Sequence, residues 1–318
     1  MKPPPRRRLS YFYKQYGKPT CLLTLGNCFA CFRAVKFKLT MNRIFILIVL
    51  FSLALVSRAG VLVQFKMMDK VGTIDVELFE HEKPATVNNF LDYVRSGAWH
   101  DQVFHRWIAG FVLQGGGYRV AHRDDLMTSW DVNPDPISDR PPIPFEKDVG
   151  KFYSNAFGTI AMARVGTDTN SATSNWFFNL GNNTNLDTQD GGYTVFGRTL
   201  RGTNVLNLFI PASGTGKIFN ITDTAVPVFT DDPNRVNIYY VTSDITVLTA
   251  NIALTRLGRQ ISWNSVVGLP NNVEFTTVVP PVWQPLQTVS GTGATMNVID
   301  SSTADSFRHY RVRIDYPN

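Results

Sequence analysis

Five short apolar runs, at residues 104–108, 111–113, 158–162, 176–180 and 193–196, follow one another between stretches rich in Gly, Asn, Asp and Pro. A packed helix needs roughly ten or more residues, whereas a buried strand needs only about four to eight. A chain patterned this way buries its apolar side chains in many short strands. Its middle is therefore expected to be mainly β, a barrel or a sandwich.

The flanking segments fit that class. Val61, Val63 and Phe65 alternate with Leu62, Gln64 and Lys66, and after residues 69–72 the alternation resumes at Ile74, Val76 and Leu78, which predicts a hairpin. Pro84 then opens a run in which Val87, Phe90, Leu91 and Val94 recur at helical spacing until Gly97 closes it. A second helix is expected over 200–209 and a later strand over 236–241. Residues 121–144, crowded with Pro, Asp and Arg, predict a long surface loop bordering a site. Beyond 248 the strands become evenly spaced, at 260–263, 273–277, 283–286, 295–299 and 310–314, which predicts a small β-sandwich of roughly 70 residues. The domain boundaries read from this pattern are 1–59 for a leader, 60–247 for the main domain and 248–318 for the sandwich.

The net charge of +6 invites a nucleic-acid reading, but its location argues otherwise. Residues 1–59 hold eleven Lys or Arg and no acidic residue, which leaves 20 basic against 25 acidic residues in the rest, a net charge of −5. A phosphate-binding surface needs clustered positive charge, so no nucleic-acid partner is expected.

Within the leader, Asn42 and Arg43 precede an apolar stretch from Ile44 to Val56. That length, about 13 residues, is short for a membrane span of roughly 20 and typical of a signal peptide. Ser57 and Ala59 place small residues three before and one before a cut preceding Gly60. The expectation is a bacterial periplasmic or secreted protein with no stable membrane span after cleavage at Ala59. Met41 reads as the natural start, with an over-extended gene model before it; the alternative is a long cytoplasmic tail on an uncleaved anchor. Cys21, Cys28 and Cys31 all lie in this leader, so the folded part has no disulfide. The C-x-x-C pair has no second ligand pair nearby. His81, His100, His122 and His309 show no metal-ligand spacing, and no nucleotide fingerprint occurs, so neither metal nor cofactor is expected.

Chemistry concentrates in four strings. The first runs Phe104, His105, Arg106, Trp107, Ile108, Ala109, Gly110, Phe111, Val112, Leu113, Gln114, Gly115, Gly116; the second covers 158–164; the third runs from Thr169 through Asn175, Trp176, Phe177 and Phe178 to Leu180; the fourth joins Asn185, Leu186 and Asp187 to Tyr193 and Phe196. Together they resemble the cyclophilin family, particularly its bacterial branch, over about 190 residues. The resemblance implies an eight-stranded antiparallel barrel capped by two helices and a peptidyl-prolyl cis-trans isomerase acting on proline-containing polypeptides.

That activity suits the residue types. Rotating an X-Pro bond breaks amide resonance against a barrier of ~18–20 kcal/mol and requires no bond cleavage and no cofactor. The prolyl nitrogen regains its lone pair in the twisted state, and a permanently charged guanidinium is a donor matched to it. By resemblance Arg106 holds that role, with Phe111 and Gln114 beside it. Val112, Phe177, Leu186 and Tyr193 join Phe111 around the proline ring, where an apolar lining is the chemical requirement. Gln114 and Asn175 match positions that bind the adjoining backbone, and Ala163 and Arg164 the edge that pairs with it. Isomerisation transfers no proton, so His105 is read as a buried structural residue rather than a base.

Four positions depart from the eukaryotic form: Asn185 stands for Trp, Tyr193 for His, Val112 for Met and Asn175 for Gln. Loss of the indole donor argues against tight cyclosporin binding, and the shorter Asn175 against a firm grip on the backbone. Residues 261–263, 283–286 and 307–313 resemble small fibronectin-like modules, with Trp263 and Trp283 read as core in preference to a sugar-stacking platform. The alternative to an enzyme is a proline-segment-binding or adhesin-like module with little turnover.

Overall fold

The computed structural model describes residues 7–12, 61–67, 71–120, 134–211, 218–220, 227–230, 238–279, 281–302 and 308–317. The signal-peptide reading, and residues 121–133 of the expected loop, lie outside these. Contacts divide the chain into one unit built on 60–249 and a second built on 250–314.

The first unit is organised by one antiparallel sheet. Its strand order is Arg106–Ile108, Val112–Gly115, Trp176–Asn179, Thr159–Met162, Val195–Arg201, Thr73–Leu78, Val61–Met67, Thr242–Leu248, Gln102–Val103, Tyr118–Arg119 and Asp135–Pro136. Eight of these strands have three or more residues; the other three are two-residue pieces. The sheet curls, because Trp107 from one end and Ile137 from beside the other belong to a single core cluster. Phe65, Phe90, Trp99, Phe104, Trp176 and Phe178 fill that core with rings meeting mostly edge-on or tilted.

The predicted hairpin forms in register, with Val63 opposite Val76 and Phe65 opposite Ile74. Its alternation conceals a charge: Asp75, on the other face, is also fully buried, accepting from Gln64 at 2.8 Å and pairing with Arg201 at 2.8 Å. The helix Pro84–Arg95 packs Val87, Phe90 and Leu91 inward. No side chain at Lys83 caps it; the Glu146 carboxylate does so from a distant loop, accepting from the amides of Ala85 and Thr86. The buried Lys83 Nζ donates in turn to the carbonyls of Glu146, Lys147 and Val149, so helix and loop are fastened reciprocally.

Two expectations are corrected. The second helix is only Thr203–Asn207, because Leu200 and Arg201 still belong to a strand. Gly202 makes the turn at φ +95, where a Cβ would stand 2.4 Å from the Thr73 carbonyl oxygen. The strand placed at 236–241 is two strands: Ile238–Tyr240, in a small sheet with Ile218–Asn220 and Pro227–Thr230, and Thr242–Leu248 in the main sheet.

The second unit is built on two small sheets. One is Ala250–Thr255, Gly258–Asn264 and Thr295–Asp300; the other orders Arg7–Phe12, His309–Tyr316, Pro270–Thr276 and Gln284–Ser290. Ala250–Thr255 escaped the sequence reading because it is an edge strand whose side chains lie largely in solvent. Trp263 is buried and donates to Asn271 Oδ1 at 2.9 Å, which removes it from any ligand platform. Among the described residues no helix is long and apolar enough to cross a membrane.

Candidate active site

Arg106 and Gln114 stand directly opposite each other on the two strands of one hairpin. Gln114 in turn faces Phe177, Phe177 faces Ala161, and Ala161 faces Val195 on successive strands. Side chains alternate along a strand, so a row of paired residues shares one face. The neighbours of Phe177 show the division: Trp176 and Phe178 enter the main core, while Phe177 joins a second apolar cluster with Val112, Ala161, Leu186 and Val195. The same strands that build the core thus present a row on their other face that starts with a cation and an amide and continues with apolar groups.

The rest of the site comes from turns tied to these strands. Phe111 follows the hairpin turn, and its carbonyl accepts from the amide of Leu180 and from Asn183 Nδ2. Asn183 also donates to Asn179, which donates to Asn155 and Thr159, a buried amide network behind the pocket. Leu186 sits in the short 3₁₀ turn Thr184–Asp187, and the Tyr193 amide donates to its carbonyl. The Tyr193 ring meets Phe177 edge-on at 5.8 Å.

These elements enclose a cavity of about 360 Å³ lined by Arg106, Phe111, Val112, Gln114, Ala163, Arg164, Phe177, Leu186, Gln189 and Tyr193. Nine of the ten residues expected from the sequence therefore converge. Asn175 is outside the lining. Its Nδ2 donates to Ser174 Oγ, and its Oδ1 lies beside Gly117, so the shortened amide is turned to its own loop. Gln189 was missed. It belongs to the turn between Leu186 and Tyr193 and accepts from Asn185 Nδ2 at 3.3 Å, a link between residues four apart that no string signalled.

The polar edge has a defined order. Arg106 Nη1 donates to Gln114 Oε1 at 3.4 Å, and Gln114 Nε2 lies 3.3 Å from His105 Nε2. Burial, opposed by a hydrogen bond to Val103 and reinforced by the Arg106 charge, lowers the His105 pKa to about 4. A ring that is neutral near pH 7 has one accepting nitrogen, and because Gln114 Oε1 faces Arg106 and Gln114 Nε2 can only donate, His105 Nε2 is the acceptor of this pair. A histidine whose folded pKa lies below its unfolded value loses stability as pH falls from about 6.5 toward 4, where only the unfolded chain takes up the proton. Denaturation midpoints measured across that window should fall with pH, and the slope should flatten in His105→Gln; an unchanged slope would show that the ring is not held neutral. Among the described residues no cluster of three or more His, Cys, Asp or Glu could hold a metal ion.

A family model described as cyclophilin type peptidyl-prolyl cis-trans isomerase/CLD matches residues 62–217. The chain is 40% identical over 141 residues to the peptidyl-prolyl cis-trans isomerase cyp18 of Streptomyces antibioticus, an alignment covering 43% of this chain and 76% of that one. It is a cyclophilin-type peptidyl-prolyl cis-trans isomerase. Peptidyl-prolyl cis-trans isomerase B of Escherichia coli is 34% identical over 141 residues, covering 43% and 77% of the two chains. A peptidyl-prolyl cis-trans isomerase of Acinetobacter baylyi is 28% identical over 176 residues, covering 54% and 86%. The cyclophilin match ends within the first unit; the second unit lies beyond the residues it covers.

Proposed function

We propose that this cyclophilin is exported and catalyses the isomerisation of X-Pro bonds in exported or periplasmic polypeptides, assisting their folding. The observation that carries the catalytic assignment is the cross-strand row that sets Arg106 and Gln114 against the apolar cavity formed by Phe111, Val112, Phe177, Leu186 and Tyr193. The proline ring occupies the apolar part, and the Arg106 guanidinium faces the prolyl nitrogen. Because that nitrogen accepts a hydrogen bond only when the amide is twisted, the donor stabilises the transition state more than either planar isomer. Gln114 aligns Arg106 and offers its remaining polar capacity to the substrate backbone, which also meets the strand edge at Ala163.

Export is supported by the apolar segment from Ile44 to Val56 and the small residues at Ser57 and Ala59. Catalysis is tested on an Ala-Pro peptide in a protease-coupled assay: the purified chain should accelerate isomerisation well above the spontaneous rate. Tight peptide binding at the spontaneous rate would favour a proline-binding module instead. N-terminal sequencing of the chain recovered from an exporting bacterial host should begin at Gly60; Met1 or Met41 in that material would refute cleavage.

A further inference from the structure

Arg164 lines the cavity, yet its guanidinium is engaged by its own chain. Nε donates to the Gly192 carbonyl at 3.1 Å, Nη2 to those of Gly192 at 2.9 Å and Asp190 at 2.5 Å, and Nη1 to that of Gly166 at 2.5 Å. The same planar group lies over the Tyr193 ring, 4.5 Å from its centroid. Two of the three carbonyls it gathers, those of Asp190 and Gly192, belong to a turn with an uncommon backbone: Asp190 has φ +54 and Gly191 and Gly192 both have φ +94. Tyr193 follows directly, and its ring closes the pocket against Phe177.

We infer that Arg164 is a positioning residue that holds the 190–192 turn, and through it Tyr193, as one wall of the proline pocket, so that it sets substrate affinity without donating to the substrate. The inference rests on the isomerase reading of the site. Arg164 reaches three separate carbonyls and one aromatic face with a single rigid fork; the ammonium of a lysine is a point donor and cannot reproduce that set. Arg106 and Gln114 stand on paired strands elsewhere in the row, so loosening the turn leaves the donor to the prolyl nitrogen in place. The effect therefore falls on binding and not on the chemical step.

The test is a double-mutant cycle read in KM and kcat on the Ala-Pro peptide, using the full chain, Arg164→Ala, Tyr193→Ala and the two combined, with thermal melting to verify folding. Arg164→Ala is expected to raise KM about tenfold with kcat within about twofold, and the combined variant to be no worse than Tyr193→Ala alone. Arg164→Lys, which keeps the charge, should behave like Arg164→Ala and supplies the cycle if the alanine variant does not fold. KM losses that multiply in the combined variant would show independent contact with the substrate and overturn the inference, as would a wild-type KM in Arg164→Lys. A wild-type chain without turnover overturns the isomerase reading itself, an outcome seen before any variant is compared.

Discussion

Arg106→Ala is expected to lower kcat/KM on an Ala-Pro peptide by about 10²- to 10³-fold, the loss typical of removing one donor aimed at charge that develops in the transition state. The loss should fall mainly in kcat, since the planar amide nitrogen is a poor acceptor and the ground state gains little from the donor. Arg106→Lys keeps the charge but not the fork that reaches Gln114 Oε1 at 3.4 Å, so it should recover only part of the rate. A protease-coupled measurement of the variant within threefold of wild type would remove Arg106 from the mechanism. Gln114→Ala should cost less, because in the proposed arrangement the glutamine accepts from Arg106 and is not itself the donor to the prolyl nitrogen.

The second large effect concerns the core. Trp176→Ala should reduce the unfolding free energy by roughly 3–5 kcal/mol, the range for truncating a large buried aromatic. The indole is fully buried and sits at the centre of the ring cluster, within 5.1 Å of Phe65, 5.7 Å of Phe178, 5.8 Å of Phe104 and 6.1 Å of Trp99, centroid to centroid. It also lies against Gly115 and Gly116, where an added Cβ would stand 2.9 Å or less from its ring atoms, so it supports the chain immediately after Gln114. Typical domains are stable by only about 5–15 kcal/mol, so a urea titration should show the variant near its unfolding limit. A shift below about 1 kcal/mol would mean that the core repacks around the gap.

The β class and the face that carries the candidate site were legible because their signals are local. Strings of four to thirteen residues carry Arg106, Phe111, Gln114 and Phe177, and strand pairing stacks those strings into one row. What escaped the reading depends on partners far away in the chain. Asp75 interrupts no pattern that a reader would notice, yet it is buried through Arg201, and Lys83 precedes a helix capped by Glu146. Each relies on a group more than sixty residues distant, which no periodicity encodes. The second helix was overextended because apolar spacing from Leu200 to Phe209 suits a helix, whereas the strand paired with Thr73–Leu78 runs on through Leu200 to Arg201. Asn175 was read from its place in a string, and side-chain length decided the outcome: with one methylene fewer, its amide bonds Ser174. Arg164 shows the opposite limit, since its position near the site was foreseen while its engagement by the carbonyls of Gly166, Asp190 and Gly192 joins loops that no single string connects.

The placement of Arg106 and Gln114 at one rung of a hairpin has a consequence for how such an enzyme can diversify. Their separation is set by the spacing of adjacent strands, about 5 Å between neighbours, and not by any loop. The walls formed by residues 184–193 are turns outside that rung. On the proposed roles, recognition and turnover therefore rest on separable parts of the backbone: a change in the length or side chains of the turn leaves the spacing of Arg106 and Gln114 unaltered.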